Sequence, residues 1–232
     1  MKQALYSGLE ELGLSLTEQQ TEALCGFGRA LIEKNRVMNL TAITEPEAVA
    51  RLHFLDCLAL LKLTDFAGKT VIDVGCGAGF PGVPLKIGQP ELELTLLDSL
   101  RKRIDWLLET LPALGIEAEC VSARAEEYAA GHREQYDVAT SRAVARLNLL
   151  SELCLPLVKV GGVFLAMKGT DSDQELSQAA HAIGELGGKV ERIWDYPVPG
   201  TEAVHRAVLI RKIRPTPKAY PRRFSRIKQS PL

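Results

Sequence analysis

The stretch Val71-Ile72-Asp73-Val74-Gly75-Cys76-Gly77-Ala78-Gly79-Phe80-Pro81-Gly82 restricts what this chain can fold into more than any other. An apolar run broken by one acid ends in four glycines. That pattern reads as a buried strand passing into a turn whose backbone is stripped of side chains. After the first strand of an α/β sheet, such a turn lets a ligand lie against the main chain and use N–H groups at the next helix start. Four glycines within eight residues exceed what a tight strand-to-helix turn needs, although a plain turn is the simplest rival.

The surrounding pattern supplies that sheet. β-rich runs fall at 70–75, 93–99, 118–123, 136–141, 162–169, 189–196 and 205–212, with helix candidates near 81–88, 100–111, 146–158 and 173–186. This alternation predicts a parallel sheet with helices on both faces. Residues 197–203 join the last two strands and are too few for a crossover helix, so that pair must be antiparallel. The expectation is an α/β, Rossmann-like fold with a seven-stranded, mostly parallel sheet and one reversed strand at its end. Upstream, Thr17-Glu18-Gln19-Gln20 forms a capping box opening a helix to about Asn35. Thr44-Glu45-Pro46-Glu47 forms a second start, with Ala48, Leu52, Leu55 and Ala59 as its buried face. The divisions read as a helical region over 1–66, the sheet domain over 67–213 and a basic tail over 214–232.

Two ligand classes compete for the glycine turn. Gly77-x-Gly79-x-x-Gly82 matches the dinucleotide pattern, but its register is late, because the strand ends at Val74. In the other register the turn follows Asp73, and a carboxylate there would repel a pyrophosphate. A cationic ligand without phosphate suits it, and S-adenosyl-L-methionine, with its sulfonium, amino group and adenosine, is such a ligand. Gly75 and Gly77 would cradle it while Asp73 favours its positive end, directly or through water. Asp98, closing the second strand, can accept from both ribose hydroxyls or cap the next helix. The N–H groups of Ala125 and Glu126 can reach the adenine edge. Arg142, after the fourth strand, can meet the methionine carboxylate, a base or a phosphate, or form an ion pair with Asp137 or a helix acid. Lys168 stands similarly after the fifth.

Charge points to the acceptor. The net charge is −1, yet eight Lys or Arg and no acid lie between Arg211 and Leu232. A basic tail on an acidic body suggests a polyanion. Tyr220 and Phe224 could stack on bases, with Arg222 and Arg223 on phosphates; a disordered solubilising tail is the alternative. On that reading, removing 215–232 would flatten the salt dependence of RNA binding and spare cofactor affinity. Five scattered cysteines without a CxxC pair favour reduced thiols in the cytoplasm over a disulfide frame or metal site. No apolar run approaches a membrane span, and a monomer is expected. Three rivals stay open: a methyltransferase of a small molecule or protein, a nicotinamide oxidoreductase, and a non-catalytic RNA-binding assembly factor.

Read together, DVGCGAGFPG, LLDSLRKR, SARAEE, TSRAVA and AMKG resemble the glucose-inhibited division protein B family over nearly the whole chain. RVMNLTAI and RLHFLDCL upstream and PRRFSRIKQSPL at the end extend the likeness. The resemblance implies a class I S-adenosylmethionine-dependent methyltransferase fold. It implies action on 16S ribosomal RNA or the small ribosomal subunit, at N7 of a guanine in the 530 loop. It places cofactor contacts on Gly75, Phe80, Ala125, Glu126 and Arg142. Guanine N7 carries no proton, so no general base is assigned, and His53 with Asp56, one helical turn apart, reads as a structural pair or as part of the cofactor pocket.

Overall fold

The computed structural model describes residues 1–232. Helices α1 (Lys2–Leu12) and α2 (Glu18–Asn35) open the chain. The capping box is formed: Gln20 N–H donates to Thr17 Oγ1 at 3.2 Å and Thr17 N–H to Gln20 Oε1 at 2.8 Å. The Gln20 amide also donates to Ile87 O at 2.8 Å, tying α2 to the sheet domain.

The second start departs from the sequence pattern. Its N-cap is Glu45, which accepts from Ala48 N–H at 2.7 Å, because Pro46 occupies the first helical position and shifts the cap by one residue from Thr44. Helix α3 (Pro46–Val49) then widens into a π-helical stretch (Ala50–Leu55), followed by α4 (Asp56–Leu58) and a 3₁₀ turn (Ala59–Lys62). The wider turn breaks the single expected stripe. Ala48 and Leu52 are only half-buried, whereas every residue from His53 to Leu60 is buried. It also brings the side chains of His53 and Asp56 to one guanidinium, described below.

The sheet domain comprises β1 (Thr70–Val74), α5 (Gly82–Gly88), β2 (Glu93–Asp98), α6 (Arg101–Ala113), β3 (Glu119–Ser122), α7 (Ala125–Tyr128), β4 (Tyr136–Arg142), α8 (Leu147–Cys154), β5 (Val158–Gly169), α9 (Asp173–Glu185), β6 (Gly188–Pro197) and β7 (Val204–Lys212). Strand order is β3-β2-β1-β4-β5-β7-β6. The reversed strand is β7, antiparallel to both β5 and β6, and it lies one place in from the edge. Strand residues alternate between two cores. Val71, Leu96, Val138 and Leu165 face the N-terminal helices with α5 and α6. Ile72, Leu97, Ala139 and Phe164 face α8 and α9. Burial on both faces is why the strand centres, Val71-Ile72 in β1 and residues 163–167 in β5, are apolar runs. Strand order reverses between β1 and β4, and ligands of open α/β sheets bind at such a point, beyond the strand C-termini. No helix is long and apolar enough to cross a membrane.

The tail folds back onto the α8 side. Lys212 is fully buried, its ammonium bonding Leu155 O at 2.5 Å and Thr216 Oγ1 at 2.7 Å. Burial pushes this amine down to about 8, against the pull of Glu134. Arg133 donates to Thr216 O at 2.7 Å and to Tyr220 O. A last helix, α10 (Phe224–Gln229), buries Ile227.

Candidate active site

The turn after β1 is fastened to β2, with Gly75 and Cys76 N–H both donating to Leu97 O at 2.7 and 3.1 Å. Gly77 has φ 58°, which disfavours any side chain, and the nearest atom to a Cβ there would be Arg103 Nη1 at 4.0 Å. Its bare face therefore opens onto free space, a cleft of about 350 Å³ bounded by Gly75, Gly77, Phe80, Asp98, Ala125 and Arg142.

Asp98 belongs to that cleft. Its Oδ2 accepts from Gly77 N–H at 2.9 Å and its Oδ1 from Leu100 N–H at 2.8 Å, with Arg103 Nη1 at 3.4 Å from Oδ2. Asp98 does not cap α6, whose N-cap is Leu100 with no side-chain bond; its carboxylate fastens the Gly77 turn and the Leu100 N–H instead, and Oδ1 keeps a lone pair beyond that bond. Ala125 and Glu126 open α7, so their N–H groups lack intrahelical acceptors.

Asp73 is placed differently from the sequence expectation. It is fully buried behind the turn, and its Oδ2 accepts from Gly82 N–H at 2.8 Å at the start of α5. Gly82 must lack a side chain because a Cβ would stand 3.0 Å from that oxygen and 2.7 Å from Leu96. Asp73 therefore does not touch the cleft, and its Oδ1 has no partner. Burial pushes this carboxyl from the ordinary 3.8 up to about 7, against the Gly82 bond and Arg142. With the folded value raised, stability is greatest below the ordinary value and is lost as pH climbs through about 4 to 7. Asp73→Asn removes that loss. In thermal melts of the ligand-free protein, its stability relative to wild type should rise by about 3 kcal/mol between about pH 5 and pH 8.5. A gap that does not change with pH would show the carboxyl to be ordinary.

Arg142 leaves the end of β4 and meets the π-helical stretch. Its Nη2 donates to His53 Nδ1 at 3.1 Å, and its Nη1 lies 3.4 Å from both Asp56 Oδ2 and Leu52 O. The guanidinium sits 4.9 Å from the Phe80 ring centre, on which His53 also stacks at 4.6 Å. Arginine only donates, so His53 Nδ1 must accept and Nε2 carries the proton toward Thr41 Oγ1, 2.8 Å away. Burial, then the Arg142 charge, pushes His53 down to about 4, so it is neutral at physiological pH. The ion-pair partner is thus Asp56; Asp137 pairs with Lys159 at 3.2 Å instead.

Two residues expected to contact the acceptor are engaged inside the protein. Lys168 spends its ammonium on Ala145 O at 2.6 Å and Glu175 Oε1 at 2.5 Å, bracing the turn after β4. Arg222 forms an ion pair with Glu152, fully buried in α8, through contacts of 2.6 and 2.8 Å. The buried carboxylate captures the guanidinium because no other cation reaches it. Arg223 is exposed, as are Arg226 and Lys228. Phe224 lines the cleft, with the Arg124 guanidinium 4.1 Å from its ring centre. Sparing cofactor affinity on removal of 215–232 is therefore no longer expected, because the tail forms part of the cleft wall. The Phe224-x-x-Ile227 spacing, an apolar pair within a basic segment, was the available signal that this tail docks. Tyr196 and His205, which converge on Asp56, had no local signal.

The chain matches the profile of the rRNA small subunit methyltransferase G family over residues 20–196. It is 42% identical to the ribosomal RNA small subunit methyltransferase G of Clostridium botulinum (strain Loch Maree / Type A3) over 98% of this chain and 97% of that protein. The protein of the same name from Alkaliphilus metalliredigens (strain QYMF) is 45% identical over 100% and 98%. Among solved structures, precorrin-6y C5,15-methyltransferase from Geobacter metallireducens GS-15 superposes with a TM-score of 0.54 at 15% identity, covering 76% of this chain and 91% of that one. That likeness speaks to the fold.

Proposed function

The chain belongs to the rRNA small subunit methyltransferase G family, and on that premise we propose that it methylates N7 of a guanine in the 530 loop of 16S ribosomal RNA. It is an S-adenosylmethionine-dependent methyltransferase acting on small-subunit ribosomal RNA. The finer reading also makes it a cytoplasmic monomer that meets the RNA within the small subunit.

The observation that carries this reading is the arrangement around Arg142. The cofactor cleft and a second cleft share Arg142 and Ala143. His53 is neutral but has both ring nitrogens engaged. An acceptor that brings its own unprotonated lone pair, as guanine N7 does, needs nothing more than positioning.

The residues around the first cleft fit the cofactor. Bound there, it supplies an electrophilic methyl group on its sulfonium. Asp98 offers the ribose hydroxyls the free lone pair of Oδ1 and, in exchange for the long 3.4 Å Arg103 contact, a site on Oδ2. Ala125 and Glu126 present N–H groups to the adenine edge, and Phe224 closes that end. Gly75 and Gly77 let the ligand approach the main chain, and Phe80 packs beneath Arg142. Arg223, Arg226 and Lys228 stand beside Phe224, and we assign them to RNA phosphates; their place next to the cleft makes the tail a guide rather than a loose tether.

The test is to incubate the protein with methyl-labelled cofactor and small ribosomal subunits lacking the modification, then map the label. We expect it on N7 of one guanine of the 530 loop. Label on another base, on protein, or nowhere would overturn the assignment.

A further inference from the structure

The second cleft, about 450 Å³, shares Arg142 and Ala143 with the first. Three distant parts of the chain build its polar end. Asp56 comes from the helical region, Tyr196 from β6 and His205 from β7, the last two directly opposite one another in the antiparallel pair. Asp56 is only 2% exposed. Its Oδ1 accepts from Tyr196 Oη–H at 2.7 Å and from His205 Nδ1–H at 2.8 Å, which fixes the plane of the carboxylate. Its Oδ2 has a single contact, the long one of 3.4 Å from Arg142 Nη1. The lining also carries the apolar side chains of Ile43, Leu52 and Met167. Between the two clefts, Ala143 holds φ 57°, a left-handed conformation that strains an alanine, the kind of strain found where backbone position matters.

We infer that this cleft is the slot for the accepting purine, and that Arg142 Nη1 and Asp56 Oδ2 read the O6 and N1–H of guanine while leaving N7 bare. The inference rests on the methyl-transfer reading above and supplies what that reading lacks, namely how the base is chosen and turned. Guanine presents, side by side, an acceptor at O6 and a donor at N1. A donor and an acceptor 3.4 Å apart, held in the protein only by long contacts (Nη1 at 3.4 Å from Asp56 Oδ2 and from Leu52 O), complement that pair. Adenine presents the reverse, an amino donor and a bare N1, so it would set donor against donor and acceptor against acceptor.

The His53 contact completes the argument. Arginine commonly grips guanine through O6 and N7 together, which would bury the nucleophile. Here Nη2 is already bonded to His53 Nδ1, so only Nη1, whose two contacts are both 3.4 Å long, is left to turn to O6. The neutral histidine thereby keeps N7 unmasked. The Asp56 carboxylate also lies where it can offset the positive charge that methylation places on the ring.

The wild-type protein can test this without mutation. Small subunits are reconstituted with guanine, inosine or 2-aminopurine at the accepting position, and kcat/KM is compared. Inosine keeps O6 and N1–H and loses only the exocyclic amine, so it should stay within about tenfold of guanine. 2-Aminopurine keeps N7 but has a bare N1 and no O6, so it should fall by about 100-fold or more. Comparable turnover of 2-aminopurine would overturn the slot. Asp56→Asn is the second arm. With Tyr196 and His205 holding its carbonyl, its amide would turn a donor toward N1–H. Turnover on guanine should drop about 100-fold, cofactor affinity by calorimetry should hold within about threefold, and the preference for guanine over 2-aminopurine should collapse. Unchanged preference, or cofactor binding lost in step with turnover, would also overturn it. If wild type leaves even the guanine-bearing subunit unmethylated, the function proposed above has failed, and the slot falls with it.

Discussion

Arg222→Ala is expected to lower the unfolding free energy by about 3–5 kcal/mol, a large share of the stability of any domain this size. Glu152 is fully buried in α8, and its two oxygens accept from the guanidinium and, at 2.9 Å, from Arg222 N–H. Deleting the side chain strands a carboxylate in the core with one backbone donor. The penalty comes from that orphaned charge rather than from the pair itself, so a second change should repair it. Arg222→Ala combined with Glu152→Gln, which keeps the volume and removes the charge, should recover most of the loss. Denaturant unfolding of the two variants measures this. A single variant as stable as wild type, or a double variant no better than the single, would mean the charge is hydrated. Arg222→Ala should also weaken cofactor binding, because the segment it anchors carries Phe224. By contrast Arg223→Ala, one residue on and exposed, should leave stability alone and reduce the salt slope of RNA binding by about 0.7.

Asp98→Ala should weaken cofactor binding by at least about tenfold, or about 1.4 kcal/mol, in calorimetry. Two losses combine. The proposed ribose contacts disappear, each charge-assisted bond being worth about 1.5–3 kcal/mol. The Gly77 and Leu100 N–H groups are also released, loosening the turn that shapes the cleft. Unchanged affinity would show that the sugar is held elsewhere.

Much of the architecture could be read from the sequence because local chemistry and global burial agree there. A strand buried on both faces is apolar through its centre, which is why Val71-Ile72 of β1 and residues 163–167 of β5 mark strands in the sequence. The turn at Gly77 and the carboxylate of Asp98 were legible because close backbone approach leaves a signature in residue type. What escaped notice came from packing at a distance. His205 meets Asp56 across 149 positions of sequence, and Arg222 meets Glu152 across 70. No window of neighbouring residues encodes either contact. Lys168 and Arg222 misled for a related reason: a basic residue at a strand end or in a basic tail looks free until the acid that claims it is located. The π-helical widening at Ala50–Leu55 was also hidden, because 3.6-residue spacing is the only rhythm such a reading assumes.

The placement of β7 inside the sheet leaves β6 as one outer strand, and β3 is the other. β3 is only four residues long, and β6 carries an irregularity between Val190 and Arg192 with Lys189, Glu191, Arg192 and Asp195 exposed along it. Short length on one flank, and a kink with alternating charge on the other, are what discourage a foreign strand from zipping onto a sheet. The fold thus ends its own growth at both margins, a protection against aggregation that asks nothing of the residues around the methyl group.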